Sequence, residues 1–274
     1  MSTLKKFAVI GHPIGQSQSP TIHNHWIKKY GLSATYEAID IAPEALKTQL
    51  LHLLEQGFEG FNITIPHKES VGFICDEIQD TAQKIGSINT LYKRGSAIIG
   101  TNTDGFGFLQ NILKAYPEYD VSGKTACVLG AGGAAKSIIH SLTENNIKQI
   151  ILCNRTREKA EDIAALYESI VQVIDWDDKE NAAAKYDLLI NTTSLGMTGQ
   201  PPLTFDFMNL NSTALVTDIV YKPLMTPLLN AAQKKGNPVV TGIGMLIYQA
   251  AAAFEKFHGI MPEIDDELRA KVMP

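Results

Sequence analysis

The 274-residue chain has few cysteines, few close histidines and no long apolar run. Its hydrophobic stretches are far shorter than the roughly 20 residues of a membrane-spanning helix, so no membrane span is expected. Cys75, Cys127 and Cys153 are widely separated, which argues against a disulfide framework and for reduced core residues. Only His23 and His25 are close, and residues two apart do not share a helix face, so no metal site is predicted.

Positive charge is also scarce. The 24 Lys and Arg against 29 Asp and Glu give a net charge of −5, and no basic tail is present. Nucleic acid and anionic membranes are therefore not expected partners. No basic-then-apolar leader opens the sequence, so we expect a cytoplasmic location. The length suits one large domain or two of ordinary size.

Apolar and amphipathic segments alternate in both halves of the chain, and this rhythm predicts an α/β fold with mostly parallel sheets. The polar break at 117–123 separates the halves and predicts a domain junction, with a cleft between two domains as the place for a small-molecule site. In the first half we predict strands at 7–11, 34–40 and 60–65, helices at about 20–30, 43–55, 68–75 and 79–84, and a hairpin at 88–92 and 97–101. In the second half we predict strands at 125–129, 149–153, 171–174, 187–191, 215–220 and 239–241.

A helix is predicted to begin at Asp104 and to bury Phe106, Leu109 and Leu113. Further helices are expected near 134–144, 158–167, 227–235, 244–257 and 264–271.

A glycine-rich turn follows the strand at 125–129. Its residues, Gly130-Ala131-Gly132-Gly133-Ala134, lead into a small-residue helix. Glycines let the backbone approach a pyrophosphate, and the N-terminus of the next helix attracts its charge. The turn predicts dinucleotide binding. The alternative is a turn that merely packs a helix on a strand.

The next strand ends in Cys153-Asn154-Arg155-Thr156-Arg157, where an NAD-binding unit normally carries a carboxylate. Two guanidinium groups there favour a 2′-phosphorylated adenosine, so we predict NADP. The alternative is an ordinary solvated helix start.

Three more segments carry candidate chemistry. Lys68 follows the strand end that holds Asn62 and Thr64 on one face, and a lysine in a cleft can move a proton, although most lysines are only solvated. Asp104 is a candidate partner for it or a helix cap. Ser17 and Ser19 can bind a carboxylate, and Ser19 could equally cap a helix. The last segment, Gly242 to Gln249, predicts a helix start near a nicotinamide or, alternatively, a core segment.

Taken in this order, the segments resemble the shikimate dehydrogenase family over nearly the whole chain. The sharpest parts are Ser17-x-Ser19, Asn62-x-Thr64-x-Pro66-His67-Lys68, Asn89-Thr90, Asn102-Thr103-Asp104-Gly105, Gly130-Ala131-Gly132-Gly133-Ala134, Asn154-Arg155-Thr156 and Gly244-Met245-Leu246-x-x-Gln249.

The resemblance implies a substrate domain at 1–104, completed by C-terminal helices within 243–274, and a Rossmann, doubly wound NADP-binding domain at 105–242. It implies the reversible, NADP-dependent reduction of 3-dehydroshikimate to shikimate, in chorismate and aromatic amino-acid biosynthesis. The partners expected are small molecules, and a homodimer stays open beside a monomer.

The resemblance also implies roles for individual residues. Lys68 and Asp104 match the catalytic pair. The substrate-binding positions are Ser17, Ser19, Asn62, Thr64, Lys68, Asn89, Asp104, Tyr221 and Gln249. The cofactor-binding positions are Gly130, Ala131, Gly132, Gly133, Ala134, Asn154, Arg155, Thr156, Lys159, Thr193, Ile219, Gly242 and Met245.

Two positions depart from the family pattern. Ala135 replaces the third glycine of the fingerprint, and Lys159 replaces the last arginine of the phosphate clamp, with Arg157 as a candidate to compensate. A quinate/shikimate dehydrogenase with broader cofactor use is the second interpretation. A non-catalytic NADP-binding regulator is the third, although it should have lost Lys68 or Asp104.

Overall fold

The structure, a computed structural model, describes residues 4–181 and 183–273. These residues form two compact units, one of residues 4–104 with 247–273 and one of residues 105–246. Residues 1–3 and 274, which the predicted substrate domain includes, lie outside the described residues. The domain junction predicted at 117–123 was wrong, because this stretch lies inside the second unit, where Val121 belongs to the hydrophobic core.

The first unit is built on a mixed six-stranded sheet in the order β2-β1-β3-β5-β6-β4. Strands β2, β1 and β3 are parallel, β5 and β6 form an antiparallel hairpin beside β3, and β4 runs parallel to β6. The strands are β1 (Lys5–Gly11), β2 (Ala34–Asp40), β3 (Phe58–Ile63), β4 (Glu77–Ile78), β5 (Thr90–Arg94) and β6 (Ala97–Thr101).

Its N-terminal helices are α1 (Ser19–Lys29), α2 (Leu46–Glu55) and α3 (Asp80–Ile85). The single helix predicted at 68–75 is divided into two short 3-10 helices, His67–Glu69 and Val71–Ile74. The carbonyl of Lys68 accepts a hydrogen bond from the Ile88 backbone N–H at 2.8 Å. It is therefore taken up by a distant segment instead of the next turn of an α-helix.

Side chains alternate across this sheet, so each strand contributes to two cores. Ala8 and Ile10 pack on one face with Leu50 of α2. On the other face Phe7 stacks on Phe257, with ring centroids 4.9 Å apart.

The second unit holds a six-stranded parallel sheet in the order β12-β11-β10-β7-β8-β9. Counted from the first strand of this unit, the sheet has the strand order of a dinucleotide-binding fold. The strands are β7 (Thr125–Leu129), β8 (Gln149–Cys153), β9 (Val171–Ile174), β10 (Leu188–Asn191), β11 (Leu215–Asp218) and β12 (Val239–Val240).

The remaining helices are α4 (Asp104–Ala115), α5 (Gly133–Glu144), α6 (Arg157–Ala164), α7 (Pro227–Lys234), α8 (Ile243–His258) and α9 (Asp266–Val272). On β7, Ala126 and Val128 join one core and Cys127 and Leu129 the other, so both faces of the sheet are covered. Of the helices that the described residues form, none combines the length and the apolar character that crossing a membrane requires.

The buried face predicted for α4 was wrong at two of its three positions, whereas the third, Leu109, is half-buried and packs against the core. Phe106 and Leu113 are 43% and 40% exposed, whereas Phe108 and Ile112 are each only 1% exposed. Gly105 explains the rotation, since a Cβ there would lie 2.7 Å from the Ser137 carbonyl oxygen of α5. The helix therefore packs through positions 105, 108 and 112, a stripe of the same period shifted by one residue.

Candidate active site

Lys68 and Asp104 form a largely buried ion pair in the first unit. The Lys68 Nζ lies 2.5 Å from Asp104 Oδ2, and the two side chains are 16% and 6% exposed. The second carboxylate oxygen accepts a hydrogen bond from Asn89 Nδ2 at 2.8 Å. Both carboxylate oxygens are thus bound, so the ammonium group is held in one direction.

The backbone around Lys68 is fixed from both sides. His67 Nε2 donates to the Ile41 carbonyl at 2.7 Å, and the Lys68 carbonyl accepts from Ile88. Asp104 is fixed by the Asn102 side chain, whose Oδ1 accepts from the Asp104 backbone N–H at 2.9 Å. The two charged groups therefore meet because their own loops are anchored.

Asn89 links the pair to α8. Its Nδ2 lies 3.4 Å from Gln249 Oε1, and its Oδ1 accepts from the Thr103 backbone N–H at 2.9 Å. A backbone N–H can only donate, so this bond fixes which end of the Asn89 amide faces Asp104.

Asn62 is buried at the end of β3, with Thr64 two positions further along. The Asn62 Oδ1 accepts from the Tyr36 hydroxyl at 2.7 Å, and its Nδ2 donates to Thr90 Oγ1 at 3.2 Å. Thr64 is half-buried, and its backbone N–H donates to Ile10.

The serine loop is held by Asp40 at the end of β2. One carboxylate oxygen accepts from the Ile14 backbone N–H at 2.9 Å, and the other lies 2.6 Å from His12 Nδ1. These contacts, His12 foremost, lower the pKa of Asp40. Ser17 Oγ accepts from the Ser19 N–H at 3.3 Å. Ser19 is the first residue of α1 and Gln18 is its N-cap residue, so Ser19 does not stand at the capping position.

The glycine turn in the second unit is shaped by close backbone approach. Gly130 has a φ of 111°, and a Cβ there would lie 2.6 Å from Thr192 Oγ1. Next to Gly132 there is open space, and α5 begins at Gly133. Ala135 is fully buried, so the departure from glycine still permits packing of the helix on the sheet. The turn therefore leaves a cradle in front of free helix N–H groups, which fits a pyrophosphate.

The cations after β8 differ in their surroundings. Among the described residues, the exposed side chains of Arg155 and Lys159 have no hydrogen-bond or ion-pair partner. Arg157 donates to Glu161 at 2.7 Å and to Asp175 at 2.6 Å. The charge of Arg157 is thus already compensated, whereas Arg155 and Lys159 can meet a phosphate. Asn154 Nδ2 donates to the carbonyl of Thr156, the N-cap residue of α6.

The other predicted cofactor positions follow the neighbouring strands of this unit. Thr193 donates through its N–H and its hydroxyl to Asn191 Oδ1, at 2.9 and 2.7 Å. Gly242 packs against the carbonyls of Ile219 and Val220, and a Cβ would lie 2.6 Å from the latter. Met245 is buried in the core of the unit, and Tyr221 is half-buried in the same unit.

A buried carboxylate, Asp218, orders the end of β11. It accepts from Thr226 Oγ1 at 2.7 Å and from Asn191 Nδ2 and the Val220 N–H, both at 2.9 Å. Burial outweighs these bonds and raises the pKa of Asp218 from 3.8 to about 6.

Within the first unit, then, the structure joins Asn62, Lys68, Asn89, Asp104 and Gln249 by hydrogen bonds. Such a group can hold a hydroxylated ring and move a proton.

Comparison with known proteins places this site in a family. Residues 9–91 match the model of the shikimate dehydrogenase substrate binding domain, residues 112–198 that of shikimate/quinate 5-dehydrogenase, and residues 242–266 that of the shikimate 5′-dehydrogenase C-terminal domain. The NADP(+) shikimate dehydrogenase of Ruegeria sp. strain TM1040 is 42% identical over 266 residues, covering 97% of this chain and 96% of that protein.

Solved structures of shikimate and quinate dehydrogenases are also similar to this chain. Shikimate 5-dehydrogenase of Thermus thermophilus in complex with NADP(H) and shikimate is 32% identical with a TM-score of 0.86, covering 97% of this chain and 99% of that one. Quinate dehydrogenase of Corynebacterium glutamicum in complex with NAD is 28% identical with a TM-score of 0.89, covering 97% of each chain. By its sequence identity over almost its whole length, the chain belongs to the shikimate dehydrogenase family.

Proposed function

We propose that this protein is an NADP-dependent shikimate dehydrogenase, which reversibly reduces 3-dehydroshikimate to shikimate. The observation that carries the proposal is the Lys68–Asp104 pair, at 2.5 Å and largely buried, in a chain of this family. A regulator without catalytic activity would not need a lysine held at this distance from a carboxylate.

The proton chemistry follows from the pair. A ketone that accepts hydride develops negative charge on its oxygen and needs a proton to become a hydroxyl. Lys68 donates that proton in reduction and takes it from the hydroxyl in oxidation. Asp104 accepts from the ammonium group and directs it, while its other oxygen stays bound to Asn89. The carbonyl becomes a hydroxyl with one hydride and one proton added.

The remaining polar groups bind the substrate in this proposal. Ser17 and Ser19 donate to the carboxylate of the substrate. The ring and its hydroxyls are bound by Asn62, Thr64, Asn89, Asp104, Tyr221 and Gln249. Amide and hydroxyl groups suit this role, since each can both donate to and accept from a sugar-like hydroxyl.

NADPH, when bound, supplies the hydride. The cradle at Gly130 fits its pyrophosphate, and the charges of Arg155 and Lys159 fit a 2′-phosphate. We assign the remaining cofactor contacts to Ala131, Gly132, Gly133, Ala134, Asn154, Thr156, Thr193, Ile219, Gly242 and Met245.

The test mixes the purified protein with shikimate and NADP and follows the absorbance of the reduced nicotinamide. We expect rapid reduction of NADP and much slower reduction of NAD. A protein that reduces neither cofactor with shikimate contradicts the proposal.

The second candidate, a quinate/shikimate dehydrogenase, is motivated by the similarity to a quinate dehydrogenase in complex with NAD. The same assay with quinate separates the two. Turnover of quinate with NAD at a rate comparable to shikimate with NADP would favour the second candidate. Arg155 and the two serines favour the first.

We further propose a cytoplasmic protein that forms a homodimer. Light scattering coupled to size-exclusion chromatography measures the second point, and a mass near 30.0 kDa, that of one chain, would contradict it.

A further inference from the structure

A line of hydrogen bonds runs through the first unit and ends on the Lys68–Asp104 pair. It begins at the hydroxyl of Tyr36 on β2, crosses β3 and β5, and reaches the start of α4. Its links are Tyr36 Oη to Asn62 Oδ1 at 2.7 Å, Asn62 Nδ2 to Thr90 Oγ1 at 3.2 Å, Thr90 Oγ1 to Asn89 Oδ1 at 2.9 Å, and Asn89 Nδ2 to Asp104 Oδ1 at 2.8 Å.

Every donor in this line points towards Asp104. The hydroxyl of Tyr36 donates to Asn62, whose amide then donates to Thr90. The hydroxyl of Thr90 donates to Asn89, and the amide of Asn89 donates to the carboxylate. Hydrogen bonds aligned in one direction polarise one another, so the last donor is strengthened by those behind it.

The members of the line are shielded from water. Tyr36 is 3% exposed, Thr90 0%, and the side chains between and beyond them are no more exposed than 6%. Solvent does not replace a lost partner in such a place. Without the Thr90 hydroxyl, Asn62 Nδ2 keeps only the longer contact to the Asn89 carbonyl at 3.4 Å, and Asn89 Oδ1 keeps the Thr103 backbone N–H. The hydrogen bonds of the line therefore depend on one another.

The outer end of the line is clamped. The ring of Tyr36 stacks on His23, with centroids 4.0 Å apart and an angle of 4° between the planes. Burial raises the pKa of Tyr36, so the phenol keeps its proton and remains a donor, and the side chain of Ser19 hydrogen-bonds to it. His23 is fully buried and burial lowers its pKa to about 3, so it stacks as a neutral ring.

We propose that Tyr36 and Thr90 are positioning residues of the dehydrogenase reaction, holding the amides of Asn62 and Asn89 so that Asp104 keeps Lys68 in place. The inference rests on the proposed function, because it assigns the pair its proton transfer. Thr90 bridges the two amides, and Tyr36 orients the first of them while also bonding to Ser19.

The test begins with wild-type turnover of shikimate and NADP. It then uses Thr90→Val, which keeps the shape and removes the hydroxyl, and Thr90→Ser, which keeps the hydroxyl. Tyr36→Phe removes the phenol hydroxyl. The matched control is Tyr92→Phe, because Tyr92 is also buried on β5 but its hydroxyl faces Gln79, outside the line.

We expect kcat to fall about tenfold in Thr90→Val and about threefold to fivefold in Tyr36→Phe, the size of one lost buried hydrogen bond. Thr90→Ser and Tyr92→Phe stay within about twofold of wild type on the same grounds. The kcat of the double variant, Tyr36→Phe with Thr90→Val, should lie within about twofold of that of Thr90→Val alone. Thr90→Val already separates Tyr36 from Asp104, so the loss of the Tyr36 hydroxyl adds little.

Effects that multiply in the double variant, or a Thr90→Ser variant as slow as Thr90→Val, overturn the positioning role. So does wild-type kcat in both single variants. Should Thr90→Val fail to fold, Tyr36→Phe against Tyr92→Phe gives the same decision. An inactive wild type overturns the proposed function instead, so the two failures are distinguishable.

Discussion

The two units position their functional groups in different ways. In the first, the groups are side chains held by other side chains: Lys68 on Asp104, Asp104 on Asn89, all largely buried. In the second, the predicted contacts are a backbone cradle at Gly130 and exposed cations at Arg155 and Lys159. A proton donor must point at one atom of the substrate, whereas a phosphate can be bound by backbone N–H groups and by exposed cationic side chains.

Because of this difference, substitutions in the two units should have different effects. In the first unit a change at one buried polar group leaves its neighbours unsatisfied, so effects on turnover should be large. In the second unit an exposed cation that has no partner among the described residues can be removed without disturbing anything else. Its loss should weaken the binding of NADP and leave the rate of the chemical step unchanged.

The largest effect is expected from Asp104→Asn. The variant keeps the shape but turns an amide or a neutral oxygen towards the Lys68 ammonium, so Lys68 loses its charged partner. We expect kcat to fall by about 10²-fold or more, the usual contribution of a positioned proton-transfer group. Steady-state assays with shikimate and NADP measure it.

The control is Asp76→Asn, since Asp76 is exposed and accepts from the Ile98 backbone N–H in the same unit. An Asp104→Asn protein that folds and keeps roughly a third of the wild-type kcat would refute the role of the pair.

The second effect is a pH dependence of the stability, which comes from the buried carboxylate of Asp218 in the second unit. The folded pKa of Asp218, about 6, lies above its ordinary 3.8. The folded protein therefore binds this proton more tightly, and its contribution to stability is lost as pH rises through about 6. Asp218→Asn does not titrate, so its free energy of unfolding relative to wild type should rise by up to about 3 kcal/mol between about pH 4 and pH 7.

Urea denaturation at both pH values measures this change. Asp206→Asn is the control, because Asp206 is an exposed carboxylate that accepts from the Met208 backbone N–H in the same unit. If the difference between Asp218→Asn and wild type is the same at both pH values, the buried carboxylate does not titrate as described.

A smaller effect is expected from Arg155→Ala. Losing one charge-assisted contact to the 2′-phosphate should raise the KM for NADP about tenfold and leave the KM for NAD almost unchanged. The ratio of kcat/KM for the two cofactors measures the change. An equal loss with both cofactors would show that Arg155 does not recognise the phosphate.

The smallest effect is expected from Arg157→Ala. Glu161 and Asp175 already occupy its guanidinium group, so the preference for NADP over NAD should change less than about twofold. A loss of NADP preference in this variant and not in Arg155→Ala would reverse the assignment of the two arginines.

Much of the fold could be predicted from sequence, because the strands of the second unit are short apolar runs bounded by glycine and polar residues. Two predictions of local structure differ from the fold for reasons that lie in tertiary contacts. The face of α4 is set by the close approach of Gly105 to Ser137. The segment 68–75 does not continue as one helix, because the Lys68 carbonyl accepts from the Ile88 backbone N–H. Neither contact leaves a local pattern in the sequence.

The site shows the same limit. Lys68, Asn89 and Asp104 stand in motifs whose residue types suggest chemistry. Tyr36 is one aromatic residue in an alternating strand. Thr90 stands in the same motif as Asn89, but a β-branched residue in a strand is common and by itself suggests no chemistry. Only the structure shows that the Tyr36 hydroxyl donates to Asn62 Oδ1 while the Thr90 hydroxyl accepts from Asn62 Nδ2.

The measurement that tests the division between the two units most directly is made on Lys68→Ala. Its kcat for shikimate oxidation is compared with its dissociation constant for NADP, obtained by titration of the free protein. We expect kcat to fall by about 10²-fold or more while the dissociation constant stays within about twofold. Near-normal turnover, or an equal loss of NADP binding, would contradict it.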